Sequence, residues 1–372
     1  MTAILETVVP TSPKDEINRA ILEVSEDQIK GFVRNPMGEI ARRADLPVET
    51  VIERIQAMLT SGVVRRVRQT LLATNLAQGA LIAWKISHDK LDAAFEFLSK
   101  EDPFSGHVVI RNTEFGENFW PLWTTIKVPS GFSLEKHCDY LREQIGAEKY
   151  RIMPALRQFL LGVGHMRRKK MEVGEKSDKP AMDMSPAIVE LDDRDWKVLI
   201  ALKRDFKPEE ISIDLWAGRA LEAGLPLAEF FEVAESLDKR GVIGRFSTFL
   251  EHTKPVGDSS ERLSSFNGLF HWAVPKGKEI EAGREIGRFA ILTHAYWRDT
   301  GPELNNVNIM AVAHGETKEQ VMAHKAAIDQ YLIDSGIGLD YTNVYWGGRA
   351  EIKPSEVAPS VYREWAVKRG LL

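Results

Sequence analysis

Cysteine is nearly missing: the 372 residues include one, Cys138. A single cysteine excludes an internal disulfide and any cysteine-rich metal or iron–sulfur site. Cys138 falls in LEKHCDYLREQIG, an amphipathic helical pattern, so a packing role is expected. No apolar run approaches the ~20 residues that span a bilayer. The opening MTAILETVVPTSPKDE lacks the basic region and long apolar core of a signal peptide. A cytoplasmic protein with no membrane partner is the expectation. Excess positive charge is absent too: 49 Lys and Arg face 54 Asp and Glu, a net charge of -5. That removes the bulk basic character of a general nucleic-acid binder. There is no glycine-rich phosphate loop in its strand–helix context, no G-x-S-x-G elbow and no HExxH pair. No metal site is expected. His88, His137, His165, His252 and His271 have no partner motif and read as structural or solvated. His324, beside Lys325 in a helix, reads as a surface residue.

What is present is a repeat. Residues near 14–165 and near 190–354 pass through the same order of elements. Each copy opens with helical segments. These are EINRAILEVSED and MGEIARRADLPVETVIERIQAMLTSGVVRRV in the first, and DRDWKVLIALKRDF and LAEFFEVAESLDKRGVIGRF in the second. Val51, Ile52, Ile55, Met58 and Leu59 recur at helical spacing. Gly62 and Gly241 stop the last helices, and a strand-like run follows, beginning at Arg65–Arg66 or at Arg245. Helices, a glycine and a short hairpin are the layout of a winged helix-turn-helix. The candidate recognition helices are acidic: Glu49 and Glu53 stand against Arg54 in the first, and Glu229, Glu232, Glu235 and Asp238 precede Lys239 in the second. A helix that enters a DNA groove needs Lys or Arg for the flanking phosphates. The expectation is a scaffold kept for packing, with DNA not a partner. Arg65, Arg66, Arg68 and Arg245 lie on the wing, where they face phosphates or the carboxylates of a ligand.

Each copy then runs strand–helix–strand–strand–helix–strand, the ferredoxin-like order βαββαβ. The first reads GALIAWKI, DKLDAAFEFLSK, GHVVIRN, PLWTTIKV, LEKHCDYLREQIG and ALRQFLLGV. The second reads GLFHWAVP, KEIEAGREIGR, ILTHAYWR, VNIMAVAHG, KEQVMAHKAAIDQYLIDSG and VYWGGRAEI. The fold class is therefore α+β, a tandem repeat of a winged helix-turn-helix and a ferredoxin-like domain. The expected bounds are 14–75 and 76–165 for copy one, and 190–257 and 258–354 for copy two. A charged surface linker occupies 166–189, where Arg167, Arg168, Lys169 and Lys170 read as solvated, and a tail helix lies in 355–372. Open sheets of this kind pair, so the copies are expected to form a pseudo-dimer within one chain, alone or in a homo-oligomer.

The stretch Ile291–Gly315 carries the chemistry. His294, Tyr296 and Arg298 alternate on the first of two strands and so share one face. His314 ends the second. A strand that only filled a core would place Val, Ile or Leu there. The reading is one wall of a site for an anionic ligand; the alternative is a solvated sheet face. Comparison of the copies sharpens it. His107 and Arg111 are four apart, as are His294 and Arg298, and Lys127 follows His107 by the same twenty residues that separate His314 from His294. Lys127 thus stands where His314 stands, and Val109 where Tyr296 stands. Arg157 and Arg349 fall on the two last strands and add cationic groups.

The pieces GVVRRV, GVIGRF, THAYWRD, NIMAVAHG and MPALRQFLLGV together resemble the siroheme decarboxylases, relatives of the Lrp/AsnC regulators, over nearly the whole chain. The resemblance implies a winged helix followed by a ferredoxin-like Lrp/AsnC-type ligand domain, in a fused two-copy arrangement. Copy one departs from the family pattern: HVVIRN lacks the tyrosine after the histidine, and Pro121 replaces an asparagine. Copy two has Gly347–Gly348 before Arg349. Copy two therefore carries the fuller set.

The implied reaction is loss of carbon dioxide from two acetate side chains of siroheme, giving didecarboxysiroheme for haem or haem d1 synthesis. Siroheme carries eight carboxylates, which a cationic pocket suits. On this reading Arg111, Arg298 and Arg349 hold carboxylates, and His107, Lys127, Arg157 and Arg245 add to the binding set. His294 or His314 supplies a proton, and Tyr296 orients a histidine or a carboxylate. Trp120, Trp123, Trp297 and Trp346 either wall the site or pack the core. No added cofactor is required, because the iron-containing substrate is its own electron sink. The alternatives are a duplicated Lrp/AsnC-like transcription regulator and a tetrapyrrole-binding protein without catalysis.

Overall fold

The structure, a computed structural model, describes residues 9–161, 171–251 and 266–372. Copy one runs α1 (Glu16–Ser25), β1 (Ile29–Lys30), α2 (Pro36–Ala44), α3 (Val48–Thr60), β2 (Val64–Leu71), β3 (Ala77–Lys85), α4 (His88–Lys100), β4 (Ser105–Thr113), β5 (Leu122–Pro129), α5 (Leu134–Ile145), β6 (Lys149–Pro154) and β7 (Arg157–Leu161). Copy two runs α6 (Asp193–Lys203), α7 (Ala217–Glu222), α8 (Leu227–Lys239), β8 (Ile243–Leu250), β9 (Phe266–Ala273), α9 (Glu279–Ile286), β10 (Leu292–Trp297), β11 (Ile309–Gly315), α10 (Lys318–Asp334), β12 (Tyr341–Ile352) and α11 (Pro359–Val367). Arg167, Arg168, Lys169, Lys170, His165, His252 and the expected boundary at 257/258 lie outside the described residues.

The chain divides into two compact units, but not along the copy boundary. One unit gathers both sets of helices. Its helices start on side-chain caps where the sequence offers them: Asp15 accepts from the backbone of Ile17 and Asn18, and Asp192 forms a capping box with Asp195. Gly62 and Gly241 have φ of 81° and 72°, the left-handed conformation expected of helix stops. Among the described residues neither copy forms the expected hairpin on its own. Each copy supplies one long strand, and β2 pairs antiparallel with β8 of the other copy, while short β1 pairs with the far side of β8. A single strand leaves half its backbone groups unpaired, and only the other copy has a matching edge. Buried Ser25 and Thr248 share a hydrogen bond of 2.6 Å across this junction.

The other unit holds one nine-stranded sheet among the described residues, in the order β6-β3-β5-β4-β12-β9-β11-β10-β7. Each copy contributes its first, second, third and fourth strands in the order 4-1-3-2, the ferredoxin-like arrangement read from the sequence. Two features differ from that reading. The last strand of copy one is β6; the segment ALRQFLLGV supplies instead β7, which crosses to pair with β10 of copy two. In the same way the end of β12 crosses to pair with β4 of copy one. Each copy thus lends a C-terminal strand segment to the other, β7 from copy one and the end of β12 from copy two. The segment expected as a loose linker is also pinned where it is described: Ser177 and Ala181 donate to the carbonyls of Arg288 and Arg284, and Met184 exchanges bonds with Gln158.

Helices α4 and α5 cover the outer face of copy one's strands, and α9 and α10 that of copy two. Tail helix α11 joins the first of these layers through buried Tyr362, Trp365 and Ala366. Cys138 is fully buried there. The inner face has a smaller apolar cluster of its own, which includes Ala83, Trp120, Trp123, Met153, Leu269, Met310 and Tyr345 from both copies.

Candidate active site

Cross-strand pairing assigns side chains to the inner face. His294 lies opposite Val312, Val312 opposite Leu269, Leu269 opposite Tyr345, and Tyr345 opposite Thr113, so these share one side of the sheet. Tyr296, Arg298, His314, Asn267, His271, Arg111, Trp123 and Lys127 follow by alternation along the same strands. The inward positions of β3–β5 and β9–β12 include no aspartate or glutamate among the described residues.

The two arginines of the repeated His-x-x-x-Arg pair behave alike. Arg298 Nη1 donates to the carbonyl of Met153 at 2.6 Å, and Arg111 Nη1 to that of Tyr345 at 3.2 Å. Met153 and Tyr345 belong to the last strands of the opposite copies, so each guanidinium reaches across the junction between copies. Both are buried, and burial lowers each pKa to about 10, so both remain charged at neutral pH. Neither has a carboxylate partner among the described residues. Buried charges are ordinarily paired, and two that meet only carbonyls, an amide and a ring leave positive potential for an anion to satisfy.

The two histidines differ. The Thr293 hydroxyl lies 3.2 Å from the carbonyl of Val312 and 2.9 Å from His294 Nδ1, and its one proton serves either. In a protonated His294 both ring nitrogens carry hydrogen; Nδ1 then donates to Thr293, and Nε2 is the nitrogen left to transfer a proton. Arg111 Nη1 also donates to Asn267 Oδ1 at 3.1 Å, which turns the Asn267 amide nitrogen towards His314 Nε2 at 3.4 Å. With that amide orientation His314 Nε2 is the acceptor.

Tyr296 stacks on His294, with centroids 6.3 Å apart and planes at 19°, and the Arg298 guanidinium lies 4.6 Å from the Tyr296 ring centre. Burial raises the Tyr296 pKa, so the phenol keeps its proton. Lys127 is lowered to about 8, first by burial and then by the nearby Arg298 charge.

Four expected members stand elsewhere. Arg349 sits in the β-bulge of β12 between Gly347 and Ala350. The extra residue reverses its side, and it pairs with Asp92 and Glu96 of α4 on the outer layer. Arg157 lies opposite Trp297, one residue out of phase with inward Gln158, and meets Asp183 and Ser185. Arg245 is in the helical unit, where its Nε donates to the carbonyl of Glu26 at 3.2 Å. His107 is exposed at the start of β4, and Val109 offers it no ring to stack on.

Sequence reasoning passed over His271. It is 1% exposed, lies 4.7 Å from the Tyr345 ring and 5.6 Å from that of Trp123, and its Nε2 has no hydrogen-bond partner. Burial, with Arg111 and Lys325 nearby, lowers its pKa to about 3. Alternation with Asn267 along GLFHW would have placed it inward. His324, expected at the surface, is buried under α10. Of the tryptophans, Trp120 and Trp123 join the inner cluster, whereas Trp297 and Trp346 pack on the outer core.

The AsnC-like ligand binding domain family matches this chain twice, at residues 76–160 and 264–337. A curated siroheme decarboxylase of Hydrogenobacter thermophilus is 24% identical over 304 residues, which cover 81% of this chain and 84% of that protein. The crystal structure of the siroheme decarboxylase NirDL superposes with a TM-score of 0.66 at 18% identity, covering 96% of this chain and 99% of that one. NirDL in co-complex with an iron-uroporphyrin III analogue gives 0.65 at 18% identity, covering 96% and 100%. Among the described residues no helix is long and apolar enough to cross a membrane, and no cluster of His, Cys, Asp and Glu could hold a metal ion.

Proposed function

We infer that this chain is a member of the siroheme decarboxylase family; it matches the AsnC-like ligand binding domain twice and shares the fold of NirDL. It is a carboxy-lyase. The substrate on this reading is siroheme, and the products are didecarboxysiroheme and two molecules of carbon dioxide. The observation that carries the reading is the pair of buried arginines without carboxylate partners on an inner face free of acidic side chains. A polyanionic macrocycle brings the missing negative charge.

Each step converts an acetate, –CH2–COO⁻, and one proton into a methyl group and carbon dioxide. The bond to the carboxyl carbon breaks, and its electron pair passes into the ring system, which a proton on a ring carbon has prepared. His294 is the proton donor in this scheme. Thr293 fixes the ring through Nδ1, and Nε2 carries the transferable proton. The remaining guanidinium nitrogens of Arg298 and Arg111 hold carboxylates, and the protonated Tyr296 phenol donates to the same anion or steadies His294. The macrocycle accepts the electrons, so no further organic cofactor enters the scheme.

The test is a single-turnover assay under anaerobic conditions with siroheme, read by product mass. The wild type is expected to lose two carboxyl groups. General acid catalysis contributes typically about 10²–10⁴-fold, so His294→Ala is expected to slow the chemical step by at least about 100-fold with binding retained. His314→Gln is expected to cost less than His294→Ala. A wild-type protein that binds siroheme and returns it at unchanged mass would refute the reading. Equal rates for both variants would exclude His294 as the proton donor.

A further inference from the structure

We propose that Lys127 is a second catalytic acid, the donor for one of the two decarboxylations in the half of the inner face where it occupies the position of His314. This rests on the siroheme decarboxylase reading and divides the work between two chemically different groups.

Four observations support the assignment. The first is position. Lys127 on β5 lies opposite Gly79, and His314 on β11 lies opposite Asn267, so the two are equivalent points of the repeated sheet. The second is the exchange of the facing residue. Copy two has Asn267, whose amide nitrogen lies 3.4 Å from His314 Nε2; copy one has glycine. A Cβ built on Gly79 would stand 2.9 Å from Lys127 Nζ and 3.1 Å from its Cγ. The missing side chain is the room in which the longer lysine lies.

The third observation is the lack of a partner. A surface lysine has water and a buried structural one has a carboxylate, as Lys325 has Asp329 at 2.5 Å. The half-buried Lys127 ammonium has no carboxylate partner among the described residues, and no carboxylate raises its pKa. The fourth is the company it keeps. Arg298 and Tyr296 of β10 share its face, with His107 on neighbouring β4 and the uncharged Gly79 on β3. Burial first, and then the Arg298 charge, bring the amine to about 8. An ammonium near 8 is mostly loaded at neutral pH and can still surrender its proton, which an ordinary lysine at about 10.4 does poorly.

The step balances in the same way. Nζ–H gives its proton to a ring carbon, the bond to the carboxyl carbon breaks, carbon dioxide leaves, and the electron pair neutralises the ring as an exocyclic methylene; a proton then adds to that methylene carbon to give the methyl group as the ring carbon releases its own. The neutral amine is recharged from solvent.

Lys127→Arg and Lys127→Gln separate an acid from an anchor. Arginine keeps the charge and the carboxylate contact but, with a pKa above 12, cannot serve as the acid. If Lys127 donates, both variants still bind iron uroporphyrin III and release one carbon dioxide, then stall at the mono-decarboxylated mass. The second step is expected to slow at least about 100-fold, and the alkaline fall of its rate near pH 8 disappears. Gly79→Ala, which crowds Nζ, is expected to slow the same step. Two carbon dioxides released by Lys127→Arg at the wild-type rate overturn the proposal and leave Lys127 as a carboxylate anchor. Loss of both steps together with loss of binding does the same. A wild type that releases no carbon dioxide at all refutes the siroheme decarboxylase reading itself, before any variant is compared.

Discussion

At the scale of single residues, hydrogen-bond direction separates groups that look alike in the sequence. His294 and His314 are both imidazoles on the inner face. His294 Nδ1 meets a threonine hydroxyl, which can accept from a protonated ring; His314 Nε2 meets the amide nitrogen of Asn267, whose oxygen Arg111 holds, and an amide nitrogen only donates. His271 is a third case. Its folded pKa of about 3 lies below the ordinary histidine value of about 6.5. Between those values the unfolded chain binds a proton that the folded chain does not, so stability falls as pH drops through that window. In His271→Phe that contribution is removed. Denaturant melts of the protein between pH 7 and pH 4 are expected to show a shallower acid loss in the variant than in the wild type. Parallel curves would mean that His271 takes up its proton in the folded state near the ordinary pH.

At the scale of elements, the exchange of C-terminal strand segments governs what reaches the inner face. The bulge at Gly347–Arg349 lets β12 leave its own sheet partner and continue on β4, and the same extra residue turns Arg349 outward. Its counterpart is the break at Ala155–Leu156 between β6 and β7. Where β7 arrives, Phe159 packs against α9 at Gly283, and a Cβ there would fall 2.0 Å from the Phe159 ring. Such a contact cannot be relieved by a flexible side-chain end. Gly283→Ala is expected to destabilise the protein by about 1–3 kcal/mol, the usual range for overpacking, and to raise hydrogen exchange in β7 and β10 first. Exchange that rises uniformly would show that β7 does not depend on this contact.

At the scale of the whole chain, charge explains both the cost and the use of the architecture. Two arginines and a lysine on an acid-free inner face lose hydration without a paired anion, and the protein without ligand bears that loss. A polycarboxylated tetrapyrrole returns it. Iron uroporphyrin III at about 100 times its dissociation constant is expected to stabilise the folded state by about 2.7 kcal/mol. Differential scanning calorimetry reads this as a rise in Tm, and the octamethyl ester, which has the same ring and no carboxylates, is expected to give little of it. An equal rise with the ester would assign binding to the ring alone. In the helical unit, by contrast, bases near the candidate recognition helices are engaged by acids: Arg54 with Asp15, Arg194 with Glu229 and Arg34 with Glu235.

The sequence by itself determined the repeat, the α+β class, the order of elements in each copy and the equivalence of His107, Arg111 and Lys127 with His294, Arg298 and His314. These depend on local periodicity and spacing, which the chain carries wherever it folds. Alternation also placed Tyr296 beside His294 before any coordinates. Only the tertiary structure decided that the copies trade strands, that Arg349 and Arg157 face outward and that His271 is buried. A bulge shifts the alternation by one residue, and a strand's partner is chosen by which free edge meets it in space. Neither is written in the spacing of a single strand.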